Sequence, residues 1–421
     1  MLDLQRLRNR AGNTSTATAS FPEVAVNLAA PAAAALLPVP GVQLGVAMAG
    51  IKKPGRKDLL VMRLAPGSVL AGVFTRNTFC AAPVVLARKN LKNDVRALVV
   101  NTGNANAGTG ADGVKRALQV CEALAGHIGC NPEEVLPFST GVIMEPLPAE
   151  RIVAALPKAL LARSDWLEAA EAIMTTDTVP KAFSKKVRLS RGAVTVTGIA
   201  KGAGMIRPDM ATMLAFMATD ARLSRAKLQS MLERIAERSF NCISVDGDTS
   251  TNDSLIHAAT GTGASPSTAR DALKLEAAIT DVARHLAHAI VRDGEGATKF
   301  VTVRVERGRS RDECRRVAYA IAHSPLVKTA FFASDPNLGR ILAAIGNTGV
   351  EVAKLALYID EVLVASRGGR DPSYKEESGV AAMKKPEFTV RAVLNRGKAD
   401  ATVWTCDFSY DYVKINAEYR T

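Results

Sequence analysis

The residues with the clearest chemical potential are Ala211 and Thr212, which lie between a glycine-rich turn (Gly202-Ala-Gly204) and an apolar run (Met213-Leu-Ala-Phe216). A threonine hydroxyl within a chain is a poor nucleophile, because it needs a nearby base to take its proton. Cleavage of the bond between Ala211 and Thr212 would give Thr212 a free α-amine, which can serve as that base. One cleavage would therefore both expose and activate a nucleophile.

Thr212 considered alone is weak evidence for a catalytic nucleophile, because most threonines beside a strand serve in packing or hydrogen bonding. The surrounding segment strengthens the case. Gly202 and Gly204 allow an unusual backbone path and close approach, and Pro208 stiffens the segment before the bond that would break. Lys201 places a cation at the far end of the same turn. Together these neighbours favour a processed threonine nucleophile.

Metal and histidine chemistry have weaker support. The five histidines form no HExxH pair, and the acidic loop from Asp246 to Asp253 lacks the glycine and glutamate positions of an EF-hand. The six cysteines show no CxxC spacing, which argues against a zinc site and a secreted disulfide scaffold. We therefore predict no bound metal, thiols in a reducing compartment, and a polar loop at 246–253 that organises a site.

The composition is typical of a folded protein that binds neither membranes nor nucleic acid. Of 421 residues, 48% are hydrophobic and 23% charged, and no apolar run reaches the length of a membrane span. The net charge of +13 is dispersed and aromatic residues make up only 5%, which disfavours nucleic-acid binding. Residues 1–24 are predicted to be a disordered extension. They partly resemble an organelle transit peptide, so the mitochondrial matrix is the alternative to the predicted cytoplasmic location.

Hydrophobic periodicity predicts a mixed α/β chain. Helices with one apolar face are expected near 114–128, 164–174, 224–240 and 268–291. Apolar runs predict strands near 97–100, 194–199, 213–217 and 300–305. Strands and long helices alternate unevenly, which favours layered sheets covered by helices over a doubly wound parallel sheet.

Two local predictions concern the segments beside predicted strands. Residues 101–106 (Asn-Thr-Gly-Asn-Ala-Asn) follow an apolar strand, and their composition favours a tight loop. Residues 389–394 and 401–406 are predicted strands that flank Arg396-Gly397, a pattern typical of a hairpin.

Several motifs, in order along the chain, accompany the segment around Thr212. They are Gly50-Ile-Lys-Lys-Pro-Gly-Arg-Lys-Asp58, Ala71-Gly-Val-Phe-Thr-Arg-Asn77, Val100-Asn-Thr-Gly-Asn-Ala-Asn-Ala107, Ser139-Thr-Gly-Val-Ile143, Ser244-Val-Asp-Gly-Asp-Thr-Ser-Thr-Asn-Asp253, Arg292-Asp-Gly-Glu-Gly-Ala-Thr-Lys299, Asp335-Pro-Asn337 and the terminal residues Asn416 to Thr421. Through them the chain, from about Ala25 to its last residue, resembles the ornithine acetyltransferase (glutamate N-acetyltransferase) family of arginine biosynthesis.

The resemblance implies an αββα layered sandwich, an α/β (α+β) fold, and a precursor that cleaves itself between Ala211 and Thr212. Residues 25–211 and 212–421 would then remain associated as two chains, preceded by the extension 1–24. Two such pairs would form a heterotetramer.

The resemblance also implies an activity. The enzyme would transfer acetyl from N2-acetyl-L-ornithine to L-glutamate through an acetyl-Thr212 intermediate. This double displacement needs no cofactor, because the hydroxyl itself stores the acyl group. Members of the family differ in whether acetyl-CoA also serves as a donor, and we expect this chain to accept it. The alternative is an aminopeptidase or amidohydrolase of related fold, whose N-terminal nucleophile hydrolyses instead of transferring.

Site residues are implied by the same resemblance. Thr140 and Gly141 fit an oxyanion hole, although an ordinary Ser-Thr-Gly turn is the plain alternative. Lys201 suits the carboxylate that both substrates carry, and Glu295 could hold an ornithine ammonium; each could otherwise be a surface charge. The other implied substrate-binding residues are Thr175, Thr212, Asn416 and Thr421.

Overall fold

The computed structural model describes residues 25–207 and 213–418. Its strands coincide with runs rich in aliphatic and β-branched residues, which fit a pleated and buried surface. They are β1 (Val42–Ala47), β2 (Leu59–Leu64), β3 (Val69–Phe74), β4 (Ala97–Asn104), β5 (Val135–Val142), β6 (Lys181–Leu189), β7 (Gly192–Lys201), β8 (Leu214–Thr219), β9 (Ile243–Ser244), β10 (Ser254–Ala259), β11 (Phe300–Gly308), β12 (Ala356–Ile359), β13 (Val362–Ser366), β14 (Gly369–Arg370), β15 (Glu387–Val393) and β16 (Ala399–Cys406).

Two helix ends show common capping residues. The Thr268 side chain accepts a hydrogen bond from the Asp271 backbone N–H at the start of the longest helix, and Gly129 ends another in the left-handed conformation. The helices are α1 (Ala82–Asn90), α2 (Gly110–Ile128), α3 (Ala149–Leu161), α4 (Trp166–Ala172), α5 (Arg225–Ala236), α6 (Ala269–Arg292), α7 (Arg311–Ala322), α8 (Pro325–Phe332), α9 (Leu338–Gly346), α10 (Glu376–Met383) and α11 (Tyr410–Ala417).

The strands form three sheets among the described residues. The first has the order β1-β2-β4-β5, the second β3-β10-β8-β7-β6, and the third β14-β13-β12-β15-β11-β16-β9. Both parallel and antiparallel pairs occur in each. A doubly wound parallel sheet is therefore absent from the described residues, as predicted.

The first two sheets pack face to face between two layers of helices. Leu60 and Met62 of β2 lie in the cluster between the sheets, whereas Leu59 and Val61 lie in the cluster beneath α2 and α3. This alternation explains why β2 is a continuous apolar run, since both faces of the strand are buried. Phe138 and Phe216 meet edge to face across the two sheets, with ring centroids 5.0 Å apart.

The second sheet is covered on its other face by α5 and α6, with Val196 and Met217 in the same cluster as Leu228 and Leu286. The order of layers is therefore helices, sheet, sheet, helices. This confirms the predicted αββα fold.

The predicted hairpin at residues 389–406 is wrong, as the third sheet shows. β15 runs parallel to β11 and β16 runs antiparallel to it, so β11 separates the two strands that were expected to pair. The connection crosses the end of β11, where Arg396 and Gly397 donate backbone N–H groups to the Arg307 carbonyl. An added Cβ at Gly397 would lie 2.2 Å from the Gly308 carbonyl oxygen, so this crossing requires glycine.

The predicted tight loop at 101–106 is also wrong over its first four residues. β4 continues through Asn104: β5 pairs with it along residues 101–104, and β2 pairs with it as far as Asn101. One asparagine side chain adds a hydrogen bond within the strand: Asn101 Nδ2 donates to the Asn104 carbonyl at 2.9 Å. Pairing with β5 outweighs the turn preference of these residues.

The predicted extension 1–24, the bond between Ala211 and Thr212, and Thr421 lie outside the described residues. The six cysteines are free thiols. Within residues 25–207 and 213–418, no helix combines the length and apolar character that a membrane span requires.

Candidate functional site

Six of the predicted site residues line one cavity of about 290 Å³. They come from five separate parts of the fold: the end of β5, the segment before β6, the end of β7, the turn after α6, and α11. They are Thr140, Gly141, Thr175, Lys201, Glu295 and Asn416. Met213, the residue that follows Thr212 in the chain, lines the same cavity.

Gly141 stands at a close approach of two strands. Its φ of +136° is a conformation that other residues rarely adopt. An added Cβ would lie 2.3 Å from the carbonyl carbon of Gly103 and 2.5 Å from the backbone nitrogen of Asn104. The pairing of β4 with β5 is irregular at this point. The residue type is thus dictated by the backbone path that brings the Gly141 peptide to the cavity wall.

The polar loop at 246–253 performs the organising role that the sequence predicts. Asp246 accepts hydrogen bonds from the backbone N–H groups of Met205 at 2.5 Å and Ile206 at 2.9 Å, which fixes the end of the glycine-rich turn. Asn252 donates to the carbonyls of Ala105 at 2.6 Å and Ser139 at 2.9 Å. These bonds tie the second sheet to the cavity end of the first. The described part of the chain contains no group of three or more His, Cys, Asp or Glu side chains that could bind a metal ion.

Thr175 is positioned by a buried ionic network that the sequence reasoning missed. Its backbone N–H donates to Asp177 Oδ2 at 2.9 Å. Lys181 Nζ bridges Asp177 Oδ1 at 2.6 Å and Asp293 Oδ2 at 2.5 Å, and all three side chains are almost completely buried. Asp177 Oδ1 also accepts from the Gly202 backbone N–H at 2.7 Å. The network therefore fixes Thr175 relative to the turn after Lys201.

The carboxylates and ammonium groups of this network stabilise one another in their charged forms. Burial by itself would raise the pKa of Asp177, but the ammonium groups of Lys181 and Lys201 and the Gly202 N–H hold that pKa well below its usual value. Burial would likewise lower the pKa of Lys181, yet the carboxylates of Asp177 and Asp293 raise it. Asp177 and Lys181 therefore stay ionised at neutral pH.

Lys201 ends β7 and faces the cavity. Burial is the largest influence on its ammonium and lowers its pKa, although the carboxylates of Asp177, Asp253 and Glu295 act in the opposite direction. A ligand carboxylate at this position would restore a counter-charge to the ammonium.

Glu295 lies opposite, on the turn after α6. Its backbone N–H donates to the Ala203 carbonyl at 2.9 Å, and its Oε2 accepts from Asn416 Nδ2 at 2.9 Å. Burial raises the pKa of Glu295, against the effects of hydrogen bonds from Thr176 and Asn416. Asn416, on α11, is thereby held over the cavity by a direct bond to the predicted ammonium-binding carboxyl.

A second cavity of about 470 Å³ adjoins the first, with Gly141, Val142, Thr175, Thr176 and Glu295 lining both. Its wall includes three cationic side chains of one loop: Lys52, Lys53 and Arg56. Arg56 Nη2 donates to the carbonyls of Met174 at 2.6 Å and Thr175 at 3.2 Å, which attaches this loop to the wall of the first cavity. A fourth cation, Arg292, and five acidic residues also line the second cavity: Asp58, Asp177, Asp293, Glu295 and Glu418. We call it the vestibule, and we call the first cavity the inner cavity.

Chemically, the first cavity combines a threonine hydroxyl and a glycine peptide with one ammonium and two carboxyl groups, those of Glu295 and Asp253. Such a site suits a small molecule that carries a carboxylate, an ammonium and an acyl group.

Four residues around the site were not predicted from the sequence, and two of them lie close to a predicted one. Asp177 follows Thr175 by two residues, and Lys181 is four residues further on. Asp293 and Asp253 lie within motifs that the resemblance rests on, but nothing in their spacing indicates that they are buried. That information comes from the packing of α6 and β10.

Comparisons with known proteins agree along almost the whole chain. The ArgJ family model matches residues 43–421. Two proteins named arginine biosynthesis bifunctional protein ArgJ, from Neisseria meningitidis serogroups A and B, are each 56% identical to this chain over 408 residues, or 94% of this chain and 100% of the relative.

Solved structures provide shorter matches. The arginine biosynthesis bifunctional protein ArgJ of Bacillus halodurans is 35% identical, with 47% of this chain and 95% of that chain covered and a TM-score of 0.45. The ornithine acetyltransferase of Mycobacterium tuberculosis, solved with ornithine, is 34% identical, with 41% and 94% covered and a TM-score of 0.36.

Proposed function

The chain belongs to the ArgJ family of arginine-biosynthesis enzymes, as its motifs predicted, and we propose that it is a glutamate N-acetyltransferase. It would transfer acetyl from N2-acetyl-L-ornithine to L-glutamate through an acetyl-Thr212 intermediate. The observation that carries this proposal is that six predicted site residues, distant in sequence, line one cavity together with Met213, which is bonded to Thr212.

Self-cleavage between Ala211 and Thr212 would activate the enzyme. β7 and β8 lie on either side of this bond and pair in antiparallel fashion from Val196 with Thr219 to Lys201 with Leu214. Residues 25–211 and 212–421 would therefore share the second sheet after cleavage. Its backbone hydrogen bonds and buried apolar faces support the proposal that the two chains remain associated.

The proposed reaction begins when the α-amine of Thr212 takes the proton of its own hydroxyl. The oxygen then attacks the acetyl carbonyl, and the Thr140 hydroxyl and Gly141 N–H stabilise the negative charge that develops. Ornithine leaves, and glutamate enters the same cavity and accepts the acetyl group. Lys201 would bind the α-carboxylate of either substrate, and Glu295 the side-chain ammonium of ornithine. Thr175, Asn416 and Thr421 would complete the binding of the amino acid, and no cofactor is needed.

The test is ornithine release from N-acetylornithine with and without glutamate. A transferase should release ornithine continuously only when glutamate is present, and N-acetylglutamate should appear in equal amount. An aminopeptidase or amidohydrolase, the alternative function, should release ornithine at the same rate without glutamate and give free acetate. Release that does not depend on glutamate would therefore refute the transferase.

We also propose that acetyl-CoA serves as a second acetyl donor. The vestibule supports this proposal, because it shares Gly141 and Thr175 with the inner cavity and one of its loops carries the cations of Lys52, Lys53 and Arg56, which suit phosphate groups. The vestibule is about 470 Å³ and adjoins the inner cavity of about 290 Å³, in which the amino acid would bind.

Lys53→Gln tests this assignment. We expect the KM for acetyl-CoA to rise about threefold to fivefold, as for an exposed charge pair worth up to about 1 kcal/mol. The KM for N-acetylornithine should not change. Lys89→Gln, which removes an exposed lysine of α1, is the matched control and should alter neither value. Equal changes for both donors, or no turnover of acetyl-CoA by the wild type, would contradict the proposal.

Finally, we propose that two pairs of chains assemble into a heterotetramer in the cytoplasm, with no nucleic-acid or membrane partner. Light scattering on the purified enzyme should give the mass of four processed chains. A mass of one pair would contradict the assembly.

A further inference from the structure

Asp253 is a buried carboxyl that the proposed reaction has not yet used. It is only 2% exposed and lines the inner cavity beside Thr140 and Lys201. Among the described residues, its Oδ2 has no hydrogen-bond partner. The other acids around the cavity do have partners: Glu295 accepts from Asn416, Asp246 from two backbone N–H groups, and Asp177 from Lys181.

The backbone around Asp253 is fixed from two sides. Its carbonyl accepts from the Thr75 N–H at 3.0 Å, and the next residue, Ser254, donates its N–H to the Met213 carbonyl at 2.9 Å. Ser254 pairs with Leu214 at the start of two parallel strands. Asp253 is therefore held beside Met213, the neighbour of Thr212 in the chain.

A buried carboxylate without a full set of partners is unfavourable, because it has lost the water that would solvate its charge. Burial accordingly raises the pKa of Asp253 well above its usual value, although the Ser250 hydroxyl and N–H and the Lys201 ammonium oppose this. A carboxyl of this kind can hold a proton near neutral pH and release it to a stronger base.

We propose that Asp253 is a catalytic acid–base residue that gives a proton to the leaving amine and takes one from the incoming amine. This role rests on the proposed function. When the C–N bond of N-acetylornithine breaks, its electron pair goes to nitrogen, which takes the Asp253 proton and leaves as the neutral amine. The proton that came from the Thr212 hydroxyl meanwhile stays on the α-amine of Thr212.

The second half-reaction reverses these transfers. The uncharged amine of glutamate forms a C–N bond with the acetyl carbon and gives one proton to the Asp253 carboxylate. The C–O bond to Thr212 breaks, and the threonine oxygen recovers its proton from the α-ammonium. Both groups return to their starting states, so the protons balance over the cycle.

The test compares two donors in Asp253→Asn. N-acetylornithine must have its leaving nitrogen protonated, whereas p-nitrophenyl acetate expels a stable anion that needs no proton. We expect acetyl-enzyme formation from N-acetylornithine to fall on the order of 100-fold. The burst of nitrophenolate from p-nitrophenyl acetate should stay close to that of the wild type. Asp94→Asn, at an exposed side chain, is the control and should leave both rates unchanged.

Equal loss with both donors, or no loss with N-acetylornithine, would overturn the role of Asp253. Failure of the proposed function gives a different result: the wild type would show no nitrophenolate burst, or Thr212→Ala would retain it.

The wild type provides a second measurement should Asp253→Asn fail to fold. Since the acid must be protonated to act, single-turnover acetylation by saturating N-acetylornithine should slow as pH rises through its pKa. Acetylation by p-nitrophenyl acetate should lack this alkaline decline. In the part of the chain that the structure describes, the other titratable groups within electrostatic reach or in the same cavity are Lys201, Glu295 and Cys80. The α-amine of Thr212 acts with both donors, so its titration would affect both reactions alike. An alkaline decline shared by both donors would therefore contradict the role of Asp253.

Discussion

Gly204 and Glu295 are in such close contact that a side chain at Gly204 would displace the carboxyl of Glu295. An added Cβ would lie 2.3 Å from Oε2 and 2.6 Å from Oε1. The backbones are joined at the same place, where the Glu295 N–H donates to the Ala203 carbonyl. The glycine-rich turn before Thr212 is thus one wall of the proposed ornithine-binding position.

This contact predicts that Gly204→Ala weakens substrate binding more than folding, because the clash is with the mobile end of a side chain. We expect the KM for N-acetylornithine to rise about tenfold, the equivalent of losing about 1.4 kcal/mol. In a Glu295→Gln background, Gly204→Ala should raise this KM much less, since both changes disturb the same interaction of the Glu295 carboxylate with the ornithine ammonium. Steady-state kinetics of the two single variants and the double variant measure this.

Gly126→Ala is the matched control for that experiment. Gly126 lies in α2, and nothing lies within 4 Å of an added Cβ. Its replacement should leave KM unchanged and, as a glycine removed from a helix, stabilise slightly. Additive effects of Gly204→Ala and Glu295→Gln would show that the two residues act independently.

The raised pKa of Glu295 predicts opposite pH trends for the two substrates. Above this pKa the carboxyl is charged and attracts the ornithine ammonium; below it the carboxyl is neutral and tolerates the side-chain carboxylate of glutamate. As pH rises through the pKa, the KM for N-acetylornithine should fall and the KM for glutamate should rise. Glu295→Gln should remove both trends, whereas Glu122→Gln, at an exposed position of α2, should keep them.

The oxyanion role of Thr140 predicts a selective effect on kcat. Thr140→Val keeps the shape of the side chain but removes the hydroxyl. We expect kcat to fall about 100-fold, the usual effect of one lost donor, with little change in KM. Thr329→Val, at an exposed threonine of α8, should leave both parameters unchanged. A change in KM alone would indicate a binding role instead.

The buried network predicts a stability defect for Asp177→Asn. Removing one carboxylate leaves the Lys181 ammonium with Asp293 alone, and breaking such a pair costs about 3 kcal/mol. Urea unfolding at pH 7 measures the loss. Asp281→Asn, in an exposed pair with Lys185, should cost less than about 1 kcal/mol.

The sign of the pH effect follows from the depressed pKa of Asp177. Its contribution is fully present above the pKa of the unfolded carboxyl, about 4, and disappears as pH falls through the lower pKa of the folded state. The difference between wild type and Asp177→Asn should therefore shrink below about pH 4. A constant difference at all pH values would contradict the ionic origin of the stabilisation.

Periodicity predicted layered sheets covered by helices, because the helical periodicity of α2, α5 and α6 and the apolar runs of the strands are local properties. The αββα order of layers and the family were predicted from the resemblance that the motifs carry. Sequence reasoning failed where a distant strand intervenes: nothing between residues 389 and 406 indicates that β11 lies between β15 and β16. Similarly, the turn-forming residues at 101–104 became a strand because β5 pairs along all four of them, while β2 reaches Asn101.

The same distinction applies to the site. Thr140, Lys201 and Glu295 were predicted because they lie in recognisable motifs. Asp177, Lys181 and Asp253 were missed, because their importance comes from burial and from partners such as Asp293, more than a hundred residues away. Periodicity and motif spacing carry no information on such contacts.

The central claim is that Thr212 becomes a chain terminus and carries the acetyl group. Intact-mass spectrometry of active enzyme, quenched after mixing with N-acetylornithine alone, tests it directly. We predict two polypeptides, ending at Ala211 and beginning at Thr212, with one acetyl group added to the second and lost again when glutamate is supplied. Fully active protein that consists only of the uncleaved chain, or an acetyl group on another residue, would contradict the account.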